Sequence, residues 1–195
     1  MHYMKTTFMT FMLCSATLLL SGCDVMRQLG SAYNMTHCTY AFNALSKLSV
    51  ADIDVKRQLS PLDLLKITPL LTGAAKDVPM KLALDIDITN PNMTEAGLQG
   101  IQYILSIDGV QFTTGHLNDA VSVPSLSTKT MTMNVGFDLA TLFSGPSKEA
   151  AINIVKNIVG IGNAQSRVKL EIKPAFKIGN QLMTSPAYIP LEFVI

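Results

Sequence analysis

Charged residues and tryptophan are both scarce in this sequence. Of its 195 residues only 15% are charged and none is tryptophan, whereas 48% are hydrophobic. This composition is far from the low hydrophobicity and high net charge of a disordered chain. The formal net charge is +1, from 15 basic and 14 acidic residues. Such a balance provides no electrostatic footprint for nucleic acid and no polybasic patch for anionic lipid. The composition therefore predicts a folded, nearly neutral domain and argues against nucleic acid as a partner.

Cysteine is also rare, and the chain contains only Cys14, Cys23 and Cys38. Cys14 lies in an apolar N-terminal stretch, and Cys23 is the candidate for lipidation discussed below. Cys38 is then left without a partner, so we expect no disulfide even in an oxidising compartment. We interpret Cys38 as a small buried hydrophobic residue.

The N-terminus has the pattern of an exported lipoprotein. Lys5 precedes an apolar stretch over residues 8–20, which is shorter than the roughly 20 residues of a membrane-spanning helix and is typical of a signal peptide. The stretch ends in Leu20-Ser21-Gly22-Cys23. This resembles the lipobox of bacterial lipoproteins, in which an apolar residue and two small residues precede the cysteine that receives diacylglycerol. The alternative is an ordinary signal peptide that happens to end at a cysteine.

A lipid on Cys23 predicts an envelope protein whose domain lies in the periplasm. Each buried methylene contributes about 0.8 kcal/mol, so two or more acyl chains, such as palmitate, give stable attachment. Asp24 favours the inner membrane in some Gram-negative bacteria, but this rule differs between lineages, and both membranes stay open. We interpret residues 24–37 as a tether with at most a helical turn, which would reach about 20 Å if flexible. The predicted organisation is a signal peptide (1–22), the lipidated cysteine and tether (23–38), and one domain (39–195).

Alternation with a period of two dominates the rest of the chain. Its clearest example places Met80, Leu82, Leu84, Ile86 and Ile88 on one face of a strand, as expected when one face is buried. Similar patterns predict strands over residues 101–107, 110–117, 121–123, 130–139, 168–172 with an extension beyond Pro174, and 189–195, and less clearly over 39–56. The pair Asp108-Gly109 predicts a tight hairpin.

Two helices interrupt the strands. Ser60-Pro61-Leu62-Asp63 has the capping serine, first-turn proline and acid of a helix start, and we expect Pro69 to end this helix. A second helix is predicted from Ser147 to Val159, with Gly160 as its C-terminal cap. Seven or so antiparallel strands with one or two short helices predict a mainly β fold, an immunoglobulin- or fibronectin-like sandwich.

One group of residues resembles a known family. An alternating strand runs into Asn90-Pro91-Asn92, and Tyr103 to Gly109 form the next strand and its hairpin, followed by Val123-Pro124 and a strand rich in serine and threonine. This resembles the late-embryogenesis-abundant group-2 proteins, also described as the water-stress and hypersensitive-response (WHy) domain, over roughly residues 40–195. The resemblance implies a seven-stranded sandwich, a link to stress responses, and no known catalytic residues. We interpret the Asn90-Pro91-Asn92 signature as turn chemistry rather than as a binding site.

The histidines do not form a recognisable active site. His37 and Cys38 are adjacent, and in an extended segment they point to opposite faces. No third ligand stands at metal spacing, so we predict no metal site. His116 lies near Asp119, but the G-x-S-x-G elbow of a serine hydrolase is missing. The sequence therefore predicts that the protein is not an enzyme and uses no cofactor.

The remaining motifs also have ordinary structural interpretations. Asp85 and Asp87 share a strand face with Lys81, which indicates a solvated surface rather than a catalytic carboxylate pair. Gly160-Ile161-Gly162 lacks the third glycine of a phosphate loop and follows a helix. The methionines Met80, Met131 and Met133 could line an apolar groove, but core packing is the default interpretation.

These observations predict a non-enzymatic, lipid-anchored protein of the cell envelope that serves as a structural or interaction module and protects under stress. The alternative is a carrier of lipid or another apolar ligand, held between the sheets or under the helix at 147–159. The carrier would need a continuous apolar pocket of several hundred Å³, which is the usual size of a ligand site. The sequence names no protein partner.

Overall fold

The computed structural model describes residues 23–143, 146–162 and 164–195. The predicted signal peptide, residues 1–22, lies outside the described residues. Helix α1 covers residues 23–36. The other helices are α2 (Pro61–Leu71), α3 (Ala140–Phe143) and α4 (Lys148–Ile158). The strands are β1 (Thr39–Val50), β2 (Ile53–Asp54), β3 (Pro79–Asn90), β4 (Ala96–Leu98), β5 (Gly100–Ile107), β6 (Val110–Leu117), β7 (Val121–Val123), β8 (Ser127–Asp138), β9 (Arg167–Ile178), β10 (Gln181–Thr184) and β11 (Ile189–Val194).

Two larger antiparallel sheets form the domain. The first has the strand order β2-β1-β3-β8, and the second has the order β10-β9-β5-β6, with β11 also paired to β9. Phe42 of β1 stacks on Phe193 of β11 with the ring centroids 3.7 Å apart. Phe112 of β6 meets the edge of Phe137 of β8 at 5.4 Å. These two aromatic pairs join the sheets, and the predicted mainly β, antiparallel class is confirmed.

The buried faces of the long strands follow the predicted alternation. In β3 the five alternating apolar side chains from Met80 to Ile88 are all buried. β3 pairs with β8 so that Leu84 lies opposite Met133 and Ile86 opposite Met131. Since Met131 and Met133 are buried in this register, the interpretation of these methionines as core residues is confirmed.

The helix that begins at Ser60 has the predicted cap. The Ser60 hydroxyl accepts a hydrogen bond from the Asp63 backbone N–H at 3.2 Å, and the Asp63 carboxylate accepts from the Ser60 backbone N–H at 3.0 Å. Arg57 also lies 2.8 Å from this carboxylate. The hydrogen bonds from Ser60, together with the Arg57 guanidinium, hold the pKa of Asp63 below its usual range. This arrangement is the reciprocal capping box that the spacing predicted.

Pro69 does not end its helix as predicted. Helix α2 continues past Pro69 to Leu71, because a proline in the last turn removes only one helical hydrogen bond. Strand β9 runs through Pro174, in agreement with the predicted extension beyond this residue. The Pro174 carbonyl accepts from the Ser185 N–H on the side away from β5. The missing N–H of Pro174 therefore falls at the junction between β10 and β11 and costs no ladder bond.

The predicted count of seven strands is too low, since the described residues contain eleven. Strands β4 and β10 have only three and four residues and were not predicted, because such short segments show no clear pattern in this sequence. The short α3 was missed for the same reason. The Asp108-Gly109 hairpin is confirmed, with positive φ angles of 50° and 79° at its two turn residues, as a two-residue hairpin turn requires.

Candidate functional site at the α1 end of the domain

Helix α1 replaces the predicted tether. Residues 23–36 are helical throughout, and Cys23 is the first described residue of the helix and is exposed. Residues Ala32 and Met35 are buried, Met35 completely. The sequence predicted a tether with at most a helical turn, whereas residues 23–36 are helical throughout. A helix of 14 residues is about 21 Å long, and this one is packed onto the domain because its inner side chains enter the common core.

The inner face of α1 approaches the domain closely at Gln28 and Ser31. The Gln28 side-chain oxygen accepts a hydrogen bond of 2.7 Å from the backbone N–H of Gly179, at the tip of the β9–β10 hairpin. Ser31 lies against Gly97 of β4, where a Cβ atom at position 97 would come within 2.7 Å of the Ser31 hydroxyl oxygen. Glycine at position 97 thus lets the helix and the strand approach closely.

The C-terminal part of α1 is held by Asn34. Its side-chain nitrogen donates to the Thr94 hydroxyl at 2.6 Å and to the Glu95 carbonyl at 2.9 Å. Its backbone carbonyl accepts from the Asn92 side chain at 3.0 Å. The Tyr40 hydroxyl donates to the Met35 carbonyl at 3.4 Å, and burial raises the pKa of this hydroxyl. These bonds join the helix to the turn that follows β3 and to the start of β1.

Asn90 is the centre of the same network. It is fully buried, and its side-chain nitrogen lies 2.9 Å from the Thr94 carbonyl, 3.1 Å from the Val123 carbonyl and 3.0 Å from the Pro124 carbonyl. An amide nitrogen has two hydrogens, so the three carbonyls share them. Its oxygen accepts from the Asn92 backbone and side chain at 3.0 and 2.7 Å. We call Asn34, Asn90 and Asn92 the asparagine cluster.

The signature turn therefore has a specific geometry. Asn90 and Asn92 direct their polar atoms into loops and into α1, and Pro91 is exposed between them. No buried side-chain nitrogen or oxygen among the described residues lacks a hydrogen-bond partner. The side-chain nitrogens of all three asparagines thus form hydrogen bonds within the chain.

Two clefts open near this end of the domain. One has a volume of about 390 Å³ and is lined by Arg27, Lys129, Lys177 and Glu95, among others. The other, of about 410 Å³, is lined by side chains that include Gln102, His116, Asn118, Lys177 and Leu182. Residues of α4 and of β3 line neither cleft, so these two clefts are not the pocket between the sheets or under the helix that the carrier alternative requires.

The residues that the sequence offered for metal binding or catalysis do not form a common site. His37 is exposed, with its Nδ1 2.9 Å from the Tyr33 carbonyl, whereas Cys38 is buried beside the Asn34 carbonyl. Burial raises the pKa of the Cys38 thiol, and the interpretation of Cys38 as a small buried residue is confirmed. His116 and Asp119 are both exposed, and no hydrogen bond or ion pair joins them in the part of the chain that the structure describes.

The aspartates of β3 bind neighbouring side chains on the outer face of the first sheet. Asp87 accepts hydrogen bonds from Asn43 at 2.9 Å and from Thr130 at 2.6 Å. These bonds hold the pKa of Asp87 below its usual range. Asp85 accepts from Thr132. Each carboxylate is thus used in cross-strand hydrogen bonds. Within residues 23–143, 146–162 and 164–195, no three histidine, cysteine or acidic residues come together as a metal site would need.

The fold and the α1 end define a class of protein: a mainly β domain of two antiparallel sheets, with an N-terminal helix docked through an asparagine cluster. The sequence profile of the late embryogenesis abundant proteins (LEA_2) matches residues 85–189, which is more than half of the chain. The chain therefore belongs to this family, as the signature turn and hairpin predicted. The family indicates a non-enzymatic, stress-related protein.

Solved structures with a similar chain come from several sources. A protein from Archaeoglobus fulgidus is 14% identical, with a TM-score of 0.37, over 78% of this chain and 98% of that one. A protein from Arabidopsis thaliana is 13% identical, with a TM-score of 0.44, over 80% and 83%. A putative late embryogenesis abundant protein is 14% identical, with a TM-score of 0.43, over 94% and 83%. No curated protein sequence matches the chain significantly.

Sequence reasoning missed the roles of α1 and Asn34. A signal was present, because Val25, Gln28, Ala32 and Met35 recur at spacings of three and four residues, as on one face of a helix. Gln28 interrupts the apolar pattern, and its partner, Gly179, is 151 residues away in the sequence. A bond between such distant positions cannot be read from one sequence.

Proposed function

We propose that this chain is a bacterial lipoprotein, anchored to a membrane of the cell envelope through a lipid on Cys23. The observation that carries the proposal is the position of this residue. Cys23 follows the lipobox-like residues 20–22, and it is exposed as the first described residue of α1. An acyl chain on its sulfur would enter a bilayer without displacing any packed side chain of the domain.

The domain itself acts as a non-catalytic structural or interaction module. Supporting this part, the cluster that carries the family signature uses its amides for contacts within the chain, and the family indicates a stress-related protein. No helix among the described residues is long and apolar enough to cross a membrane. In this proposal the lipid provides the attachment, and α1 keeps the domain close to the membrane surface.

Metabolic labelling with an alkyne analogue of palmitate tests the anchor. The full chain, expressed with its own N-terminus in a lipoprotein-forming bacterium, should incorporate the label, and its N-terminal peptide should begin at Cys23 and carry diacylglycerol. Cys23→Ser should lose the label completely, because only a thiol accepts the thioether-linked lipid. It should also keep residues 1–22, because the lipoprotein peptidase acts after the lipid is attached.

Cys38→Ser is the matched control, since this cysteine is buried inside the domain and should leave labelling and processing unchanged. An unlabelled wild-type chain, or a Cys23→Ser chain that still carries the label, would contradict the anchor. A strain that lacks the protein tests the stress role: if it survives drying as well as its parent, the protective part of the proposal is wrong.

A further inference from the structure

The outer face of α1 is unusually apolar for an exposed surface. Met26, Leu29 and Tyr33 stand at spacings of three and four residues, so they lie on one side of the helix. They are 69%, 42% and 65% exposed. The opposite side, with Ala32 and Met35, is packed into the core. The apolar residues of the outer stripe therefore contribute little to the packing of the domain.

Other exposed apolar side chains lie on segments that are hydrogen-bonded to the same helix or to the asparagine cluster. Met93 and Leu126 are 79% and 65% exposed, and both belong to loops tied to the asparagine cluster, since the Leu126 N–H donates to the Asn92 carbonyl. Leu182 and Met183 are 64% and 52% exposed on β10, whose hairpin touches Gln28 of α1. Seven of the thirteen large exposed apolar residues of the described chain thus belong to the α1 end: Met26, Leu29, Tyr33, Met93, Leu126, Leu182 and Met183.

We propose that the outer stripe of α1, formed by Met26, Leu29 and Tyr33 and called the α1 face below, lies against the phospholipid bilayer, with α1 in the plane of the membrane interface. The inference rests on the proposed lipid at Cys23. Because Cys23 is the first described residue of α1, a lipid there holds residues 23–36 of the helix within about 21 Å of the bilayer. Exposed apolar patches of this kind mark membrane or protein interaction sites. The proposed lipid on Cys23 favours the membrane over a protein as the partner of this patch.

The charged side chains beside the helix are also suited to contact with a phospholipid bilayer. Arg27, Lys129 and Lys177 line the cleft next to α1 together with a single acid, Glu95. Arg27 also pairs with Asp24 at 3.4 Å. An interfacial helix places its apolar side chains among the acyl chains and its cations near the lipid phosphates. The α1 end of the domain, where the proposed lipid emerges, combines both features.

The opposite end of the domain provides the control. β1 begins opposite Thr89 and ends opposite Met80, and its 12 residues span about 40 Å. Helix α2 follows the far end of β1 and exposes Leu65 by 69%, a fraction close to that of Tyr33. A bilayer-bound α1 face therefore leaves Leu65 in water, even though the two residues are similarly exposed in the free domain.

Fluorescence quenching in vesicles tests the orientation. The chain has no tryptophan, so Tyr33→Trp and Leu65→Trp each introduce a single indole fluorophore into the full lipidated chain. Both variants are reconstituted into vesicles of phosphatidylethanolamine and phosphatidylglycerol that contain brominated phosphatidylcholine. We expect Tyr33→Trp to lose roughly half of its indole emission or more, because an interfacial helix buries its apolar face about 5–10 Å deep. The Leu65→Trp variant should keep its emission.

The outcomes separate the two proposals. If the chain floats with the vesicles but Tyr33→Trp is quenched no more than Leu65→Trp, the α1 face is not the membrane contact, although the anchor stands. A chain that does not float with vesicles contradicts the anchor and this inference together. Blue-shifted emission from Tyr33→Trp without quenching would overturn the inference and assign the face to a second copy or another protein. Met26→Trp, on the same face, repeats the test if Tyr33→Trp does not fold.

Discussion

Replacing Asn90 by alanine is expected to lower the free energy of unfolding by about 3–5 kcal/mol, because it leaves several buried polar groups without partners. The fully buried Asn90 side chain serves the carbonyls of Thr94, Val123 and Pro124 and accepts two bonds from Asn92. Alanine removes all of these bonds at once. Losses above about 4 kcal/mol are exceptional for single substitutions and are typical of a broken buried network.

Chemical denaturation of the chain from residue 23 onward, followed by circular dichroism, measures the effect. Asn118→Ala is the matched control, because the same side chain is exposed at position 118 and its loss should change stability by no more than about 0.5 kcal/mol. If Asn90→Ala were as stable as this control, the asparagine cluster would not hold the loops together as described.

Met35→Ala is the second large expected effect, at about 2–4 kcal/mol, because truncating a buried methionine removes apolar contacts and leaves a cavity. Met35 is 0% exposed and belongs to the main hydrophobic core. The helix itself tolerates alanine well, so the loss reports on the packing of α1 against the domain.

Met26→Ala makes the same chemical change on the outer face of the same helix, where Met26 is 69% exposed. It should therefore shift the denaturation midpoint only slightly. Equal midpoints for both variants would mean that α1 does not pack against the domain in solution. A difference of the expected size would show that the N-terminal helix is a structural part of the fold.

Long elements with one buried face could be predicted from the sequence. In strand β3 every second residue from Met80 to Ile88 is apolar and buried, and the Asp108-Gly109 turn has the chemistry that its positive φ angles favour. The helix that starts at Ser60 was found because its capping box is local. In each case the residues that determine the element lie within a few positions of one another.

The contacts that position the candidate site could not be predicted in the same way. Asn90 and Asn92 were recognised as a turn, but the Asn34 carbonyl that Asn92 binds lies 58 positions away, and the Val123 carbonyl that Asn90 binds lies 33 positions away. Residues 24–37 were interpreted as a tether with at most a helical turn. Tertiary packing decides whether such a marginal helix forms, because isolated helices of this length are barely stable in water.

The two ends of the domain have different tasks if the anchor and the α1 face act as proposed. The α1 end carries the proposed lipid and the apolar face, and the asparagine cluster ties that end to the sheets. Because Asn34 joins the helix to the loop before β4, movement of the anchor is transmitted to the whole domain. A flexible tether would instead have let the domain move freely over the membrane.

Hydrogen exchange of the lipidated chain in vesicles tests the docking of α1 most directly. We expect the backbone amides of residues 27–36 to exchange slowly, with protection approaching that of the core strand β3. We also expect Asn34→Ala to accelerate their exchange while β3 stays protected. Fast exchange of residues 27–36 in the wild-type chain, at the rate of an unstructured segment, would contradict the docked helix and restore the flexible tether.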